Sequence, residues 1–326
     1  MAVPVPLQKP KNTYDAKDIV RDFHRALPSD RRYNSTTIEQ ILPEANVSQD
    51  PDRRNAIIFK IPGHITGGVY MVQDMVLMVN LVLQKNDKTR IPEDELVSVS
   101  NNVVNSLFKD IFIEINKNTN PGSHAYKSYV SRLLTFDDEV KQTQEDMGWA
   151  SDTADQFDTM DKRLNSGFED RSKWFWDPQA PANNADWNYL HKSVRFLSTI
   201  DHDLSSLATG IPPATTIQFT FQQTTDEFRV LSKSAKSKYN LEIQDICMLL
   251  PVRTLAKNLW EDLQLSMKKK PIQLNIRVMD VEQYTCHAGV EEFTQRDIFK
   301  QIPTKVIVGI VRYAAYSGKE NLNPHK

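Results

Sequence analysis

Short runs in which apolar and polar residues alternate constrain this chain of 326 residues more than any other feature. The clearest is IQLNIRV at 272–278, where every second residue is apolar. A period of two places successive side chains on opposite faces of a β-strand. Further strands are predicted at 56–61, 69–84, 111–115, 215–221 and 305–316. The runs at 69–84 and 305–316 are apolar on both faces, which predicts strands that are buried on both sides.

The predicted strands fall into two groups, residues 54–115 and residues 215–316, and they do not alternate with helices. A doubly wound parallel α/β fold needs that alternation, so the pattern disfavours it. Helices are predicted at 15–27 and at 253–270, the second ending in three lysines before Pro271. Short strands separated by long polar connections favour antiparallel sandwiches. The predicted fold class is therefore mainly all-β, with two antiparallel β-sandwiches and short helices in the loops.

The charge balance and the cysteine count exclude several classes of protein. Lysine and arginine total 40 and aspartate and glutamate total 42, so the formal net charge is −2. This balance disfavours a nucleic-acid coat with a wholly basic surface, and also an acidic tail protein. The two cysteines, Cys247 and Cys286, lack companions at zinc-ligand spacing and are interpreted as free thiols. The longest apolar run, 75–83, is far shorter than the roughly 20 residues that span a bilayer, and no signal segment is recognised, so no membrane span is expected.

The sequence contains no motif that points to catalysis. A phosphate-binding loop, a dinucleotide fingerprint, a serine nucleophile elbow and a zinc-binding H-E-x-x-H are all absent from it. His202 lies between Asp201 and Asp203, and Cys286 precedes His287, which could suggest a metal, acid–base or thiol site. Successive side chains of an extended segment point in opposite directions, so neither group is expected to form one. We therefore predict no catalytic residue, no metal ligand and no cofactor, and the chain is not expected to be an enzyme.

One stretch, residues 166–191, is unusually rich in aromatic residues and also contains prolines and asparagines. It is predicted to be a long loop or a connection between two halves of the molecule. Aromatic side chains here could stack on bases or sugars, but they are more typical of protein interfaces and small hydrophobic cores. The candidate interface residues are Trp174, Phe175, Trp176, Trp187 and Tyr189.

Three blocks of sequence, in order, resemble one protein family. The first runs from 101 to 154, the second from 210 to 255 and the third from 271 to 324. The matching positions of the first block are Leu107, Phe108, Ile113, Ile115, Asn116, Tyr126, Tyr129, Leu133, Leu134, Trp149 and Asp152. Those of the third block are Ile302, Pro303, Gly309, Ala314, Asn323 and Pro324. Together the blocks resemble the double jelly-roll major capsid proteins, or hexons, of Polinton/Maverick elements and adintoviruses.

The resemblance implies a fold and a domain organisation. Residues 1–53 would form an N-terminal arm with a short helix, and residues 54–200 a first jelly roll that includes long loops. Residues 201–326 would form a second jelly roll that is expected to lack closing strands, because relatives continue after the Asn323-Pro324 line with further strands that complete this roll; His325 also stands where the family has a phenylalanine. The arm would strap beneath a shell or to a neighbour.

The resemblance also implies a function. Three chains would associate as a homotrimer in which six rolls approximate a hexagon, and such capsomers would tile an icosahedral virus shell. The expected partners are copies of the chain itself, penton proteins and minor capsid proteins, with no specific nucleic acid. The expected location is the virion, with assembly inside the host cell and no signal peptide.

Two other functions stay open from the sequence. A domesticated or penton-like capsid-derived protein would bind a protein or a glycan without building shells. A jelly-roll enzyme of the cupin kind would need a histidine-rich metal site, and the seven histidines of this chain are scattered.

Overall fold

The computed structural model describes residues 33–47, 55–61, 63, 68–87, 91–92, 95–124, 129–130, 141–176, 192–207, 210–213, 215–234, 238–274, 276, 278, 281–282, 284–287, 289, 294, 302–316 and 323. The strands in this part of the chain are β1 (Tyr33–Ile41), β2 (Ile57–Ile61), β3 (Gly68–Tyr70), β4 (Val76–Lys85), β5 (Val97–Val99), β6 (Phe108–Ile115), β7 (Asn118–His124), β8 (Val194–Thr199), β9 (Ile217–Gln223), β10 (Val230–Ser232) and β11 (Tyr239–Leu255). The α-helices there are α1 (Val103–Ser106), α2 (Lys141–Asp146), α3 (Ser166–Trp174), α4 (Asp226–Arg229), α5 (Lys257–Lys269) and α6 (Tyr313–Tyr316).

Two antiparallel sheets account for nine of these strands. The larger sheet has the order β1-β11-β4-β8, and β3 also pairs with β11. The smaller sheet has the order β2-β9-β6-β7. A separate short pair joins β5 to β10. The prediction of a mainly all-β fold with antiparallel sheets and short helices is confirmed.

The order of the strands identifies the architecture. Counting β1, β2, β4, β6, β7, β8, β9 and β11 as principal strands one to eight, the sheets have the orders 1-8-3-6 and 2-7-4-5. The chain changes sheet at every step except the hairpin from β6 to β7. This is the connectivity of an eight-stranded jelly roll. Residues 33–255 therefore form one complete jelly roll.

The hydrophobic core of this roll lies between the two sheets. On β9 the inward residues Ile217, Phe219 and Phe221 have no exposed surface, whereas the intervening Gln218 and Thr220 are half-buried. The ring of Phe221 meets that of Phe59 edge-on at 5.5 Å. On the opposite sheet the alternation of β4 places its buried leucines and valines in the same core. Period-two patterning thus sets which face of each strand is buried.

The domain boundaries expected from the sequence do not match the division of the sheets. Residues 33–41, expected in an N-terminal arm, form β1 and pair with β11 along their whole length. β9 and β11 lie beyond the boundary expected at 200, yet they pair with β2 and β4 from before it. The reason is physical: alternation reports that a segment is a strand, but it does not report which distant segment supplies the hydrogen-bonding partner.

Several predicted elements are confirmed and others are wrong. β2, β6, β9 and α5 lie where strands and a helix were predicted. The run at 69–84 is broken by a turn of 3₁₀-helix at Val72–Asp74, and residues 166–174, expected to be loop, form α3. The Asn-rich stretch after β6 turns at Asn116 and Lys117, which both have positive φ, and continues into β7.

The runs at 272–278 and 305–316 form no strand among their described residues, and 313–316 is helical. Ile302 and Ile310 are 98% and 94% exposed. A strand exists only when a neighbour accepts its backbone hydrogen bonds, and no described segment does so here. The helix predicted at 15–27 lies outside the described residues.

Candidate interaction site

The five residues predicted to form an aromatic interface do not share one environment. Phe175 follows α3 and is completely buried in the core of the roll. Trp174 and Trp176 are half-buried, and the ring of Trp174 meets that of Phe196 on β8 edge-on at 5.3 Å. Trp187 and Tyr189 lie outside the described residues. Phe175 thus anchors the long connection between β7 and β8 to the roll, and an interface role for the other four stays a prediction.

A buried ion pair organises this same connection. Asn165 caps the N-terminus of α3, and its side chain accepts the N–H of Phe168. Further along the helix, the guanidinium of Arg171 contacts the carboxylate of Asp152 at 2.7 Å, with 0% and 1% of the two side chains exposed. Arg171 also donates to the carbonyls of Val99 at 2.9 Å and Ala150 at 2.6 Å. The five-donor guanidinium is therefore shared between a charge and two backbone acceptors, as burial of an arginine requires.

Two asparagines fix the loop that carries Asp152. Asn165 accepts from the N–H of Thr153 at 3.2 Å and donates to the carbonyl of Gln156 at 3.0 Å. Asn101, at the start of the α1 region, accepts the N–H of Ala150 at 3.0 Å. Buried amide side chains that satisfy backbone groups in this way hold an irregular loop in one conformation. The loop 149–165, although it has no regular secondary structure, is rigidly supported.

Tyr129 packs beside this ion pair. Its ring lies 5.3 Å from that of Trp149. Burial, followed by the negative charge of Asp152, raises the pKa of Tyr129 to about 12, and the charge of Arg171 opposes this in part. Its hydroxyl therefore stays protonated through the physiological range and can only donate or accept hydrogen bonds.

Asn323, near the far end of the sequence, reaches the same loop. Its side-chain amide donates to Oδ2 of Asp152 at 3.3 Å and to the carbonyl of Phe157 at 3.0 Å. Its backbone N–H donates to Oδ1 of Asp158 at 3.1 Å. The side chain is buried, with 1% of the residue exposed. Residues from the first and third sequence blocks thus meet here, and we call the side of the contact that lies on the roll the Asp152 cluster: Asp152, Asp158 and Arg171.

A second feature is the outer face of the larger sheet. Cross-strand partners lie on one face of a sheet, so the pairs Leu197–Met78 and Val76–Leu249 are neighbours there. Ile38 on the edge strand β1 pairs with Pro251 on the same face. Three members are substantially exposed: Ile38 at 69%, Leu42 at 62% and Leu197 at 43%. We call this surface, Ile38, Leu42, Val76, Met78, Leu197, Leu249 and Pro251, the outer apolar face.

The residues considered for catalysis are separated or built into the fold. His202 is buried, its ring meets that of Phe219 edge-on at 5.5 Å, and its backbone N–H donates to Oγ of Ser205. Cys247 is buried, which raises the pKa of its thiol, and Cys286 is exposed. Within the described ranges, no three histidine, cysteine, aspartate or glutamate side chains are grouped so as to hold a metal ion. No helix in those ranges has both the length and the apolar character that crossing a bilayer requires.

Part of the contact between the Asp152 cluster and Asn323 could be identified from the sequence. Trp149, Asp152 and Asn323 belong to the blocks that carry the family resemblance, but nothing in the residues indicated that they meet. Arg171 and Asn165 were missed, because a charged or amide residue in a polar stretch is ordinarily solvated. The sequence feature that could have indicated the start of α3 is Asn165, a typical N-cap residue that stands three positions before Phe168 in an aromatic run.

Solved structures of viral capsids are similar to this fold. The Sputnik virophage structure from cryo-EM matches with a TM-score of 0.46 and 12% identity, over 79% of this chain and 54% of that chain. The crystal structure of PBCV-1 VP54, fitted into a Sputnik reconstruction, gives 0.42 and 11%, over 71% and 45%. The mavirus major capsid protein gives 0.40 and 13%, over 78% and 53%.

The chain therefore spans about half the length of these solved structures. No protein-family model and no curated protein matches its sequence.

Proposed function

We propose that this chain is a structural subunit of a virus capsid, of the double jelly-roll major capsid protein group. The observation that carries the proposal is the complete jelly roll of residues 33–255, with the first two family-like sequence blocks placed in it as strands and as the support of the long β7–β8 connection. A jelly roll presents two flat sheet faces and a set of loops at each end, so rolls pack side by side as wall elements. No cofactor or catalysis enters this function.

Residues 271–326 would belong to a second roll that stands beside the first. The alternating run at 272–278 and the apolar run at 305–311 have the sequence of strands but are unpaired among the described residues. Exposed apolar residues such as Val308, at 84%, need a partner surface. The domain division we propose is therefore a first roll over 33–255, the connecting helix α5, and a second roll that begins after it.

The outer apolar face would be a lateral contact between copies. Its residues line the larger sheet near the edge strands β1 and β8, where a neighbouring roll could pack against them. Three chains arranged around a threefold axis form a closed ring that leaves no such face uncovered. The aromatic residues Trp174, Trp176, Trp187 and Tyr189 would contribute to the same assembly from the β7–β8 connection. Penton and minor capsid proteins, and a location in the virion, complete the proposal.

The native mass in solution tests this proposal, measured by light scattering and accompanied by negative-stain images of the same sample. We expect a trimer with a hexagonal outline. Leu197→Glu should weaken the association at least about tenfold, because it would bury a charge in the contact. Gln218→Glu adds the same charge to the other sheet and should leave the mass unchanged. A monomer at all concentrations, salt concentrations and pH values, with no hexagonal outline, would contradict a shell-forming role.

A further inference from the structure

We propose that the Asp152 cluster is a docking site that recognises an asparagine, and that Asn323 of the same chain fills it to fix the C-terminal region onto the first roll. This inference is independent of the capsid proposal. It concerns an intramolecular binding site between two parts of the chain that are distant in sequence, each singled out for its sequence pattern.

The chemistry of the site matches a primary amide. Three hydrogen bonds run from nitrogen donors of Asn323 to oxygen acceptors of the loop: a carboxylate of Asp152, a carbonyl of Phe157 and a carboxylate of Asp158. An aspartate at this position would lose both side-chain donors and would bring a third negative charge beside two others. The site therefore distinguishes an amide from a carboxylate of the same shape.

Side chains of the first roll hold the loop of this site in position. Arg171 occupies Oδ1 of Asp152 and leaves Oδ2 directed to Asn323. Asn165 donates to the carbonyls of Gln156 and Thr159 and so fixes the backbone on both sides of Phe157. None of these contacts involves the C-terminal region. The acceptors of Asp152 and Phe157 are therefore held in place without Asn323, which is what a docking site requires.

After Leu274 and Ile276, which pack against the core of the roll, the described part of the C-terminal region buries few residues. No residue of α5 is buried, and Ile302, Val308 and Ile310 are largely exposed. Ala315, 3% exposed, and Asn323 are the buried residues described after 302. The described residues from 302 to 316 therefore have little buried surface of their own to fix their position, and the entropy cost of closing the loop before Asn323 rises only slowly with its length. Loss of the Asn323 contact should therefore release the segment without unfolding the roll.

The test uses the full chain and three variants. Asn323→Asp keeps the shape and removes the side-chain donors, while Asn321→Asp makes the same charge change two residues away as a control. Asp158→Ala removes one acceptor from the other side of the contact and remains informative if Asn323→Asp folds poorly. Amide hydrogen exchange, read by mass spectrometry, follows residues 150–158 and 302–323 in each variant.

We expect exchange of residues 302–323 to become at least about tenfold faster in Asn323→Asp and faster in Asp158→Ala, with β4, β9 and β11 unchanged. A fluorescently labelled synthetic peptide of residues 313–326 should bind Asn323→Asp in a fluorescence anisotropy titration, and the same peptide with aspartate at 323 should bind at least about tenfold more weakly. Equal exchange in Asn323→Asp and Asn321→Asp, or equal binding of both peptides, would overturn the proposal. Protection that depends on protein concentration would overturn the assignment to the same chain and indicate a second copy as the donor. The native mass of Asn323→Asp separates this result from the capsid proposal: the outer apolar face lies on the first roll, so the mass of a trimer should persist when the segment is released.

Discussion

At the scale of single residues, Arg171 is, together with Arg229, the largest side chain that is fully buried among the described residues. Its charge lies against Asp152, and its other donors reach two backbone carbonyls. Isolated buried charges are costly, so such a pair is stabilising only as a unit. This makes the support of the long β7–β8 connection sensitive to a single substitution.

We expect Arg171→Met to lower the free energy of unfolding by about 3–5 kcal/mol, because the carboxylate of Asp152 stays buried without its partner. Arg163→Met is the matched control, since the side chain of Arg163 is 90% exposed in its pair with Asp161 on the same connection. It should leave the unfolding curve unchanged within error. Urea unfolding followed by circular dichroism measures both variants. Similar unfolding midpoints for the two variants would contradict the buried role of Arg171.

Gly167 on α3 lies against the loop that carries Asp152. A Cβ atom at this position would lie 2.4 Å from the carbonyl oxygen of Ser151 and 2.8 Å from the backbone nitrogen of Asp152. Gly167→Ala should therefore displace the loop and destabilise the chain by about 1–3 kcal/mol. Gly309→Ala, with no atom within 4 Å of its Cβ, is the control and should have no such effect. Thermal unfolding compares the two, and a shift of similar size in both would refute this packing.

Alkaline pH tests the environment of Tyr129. Because its pKa is raised from 10.0 to about 12, the folded chain binds the phenolic proton more tightly than the unfolded chain does. The resulting stabilisation is complete below pH 10 and is lost as the pH rises towards 12. Tyr129→Phe should therefore show a smaller fall in the free energy of unfolding across this range. Some fall should persist, since burial and the hydrogen bond to Glu95 also raise the pKa of Tyr239 to about 12. Urea titrations at several pH values give the slopes, and identical slopes would argue against the raised pKa.

At the scale of elements, alternation predicted strands and their buried faces well. β9 shows this most clearly, because a period of two places Ile217, Phe219 and Phe221 on one face of the strand predicted at 215–221, and all three are completely buried. The same reasoning failed at 272–278, where the alternation is equally clear but no described segment pairs with the run. It failed again at α3, because a helix capped by Asn165 and held by Arg171 depends on contacts that its sequence does not show.

Phe219→Ala should cost about 3–5 kcal/mol of stability, because it opens a cavity among Phe59, Phe221 and His202 between the sheets. Gln218→Ala, one residue away on the outer face, should cost less than about 0.5 kcal/mol. Guanidinium unfolding of both variants measures the contrast. If the two costs were equal, the assignment of faces on β9 would be wrong.

At the scale of the whole molecule, the partners of the strands could not be predicted. The sequence grouped β2 and β4 with the first half and β9 and β11 with the second, because neighbours in sequence are often neighbours in space. In a jelly roll the first and last strands pair, as β1 does with β11, and the second strand pairs with the seventh, as β2 does with β9. Such non-local pairings carry no local signal. The resemblance to capsid proteins predicted the roll but placed its boundary at 200, within the strands of one roll.

The central claim, that residues 33–255 form one roll, is tested most directly by a disulfide between β2 and β9. Lys60 and Gln218 are partners in the antiparallel register and lie on the outer face of the smaller sheet. In a chain with Cys286 replaced by serine, Lys60→Cys with Gln218→Cys should form an intramolecular disulfide on mild oxidation, identified by mass spectrometry of the linked peptides. The control pair is Lys60→Cys with Gln244→Cys. Gln244 is exposed on the other sheet, so this pair should form no disulfide. Efficient linkage of the first pair alone is the result that the single roll predicts. No linkage, or equal linkage of both pairs, would contradict the single roll and would indicate that β2 and β9 belong to separate rolls.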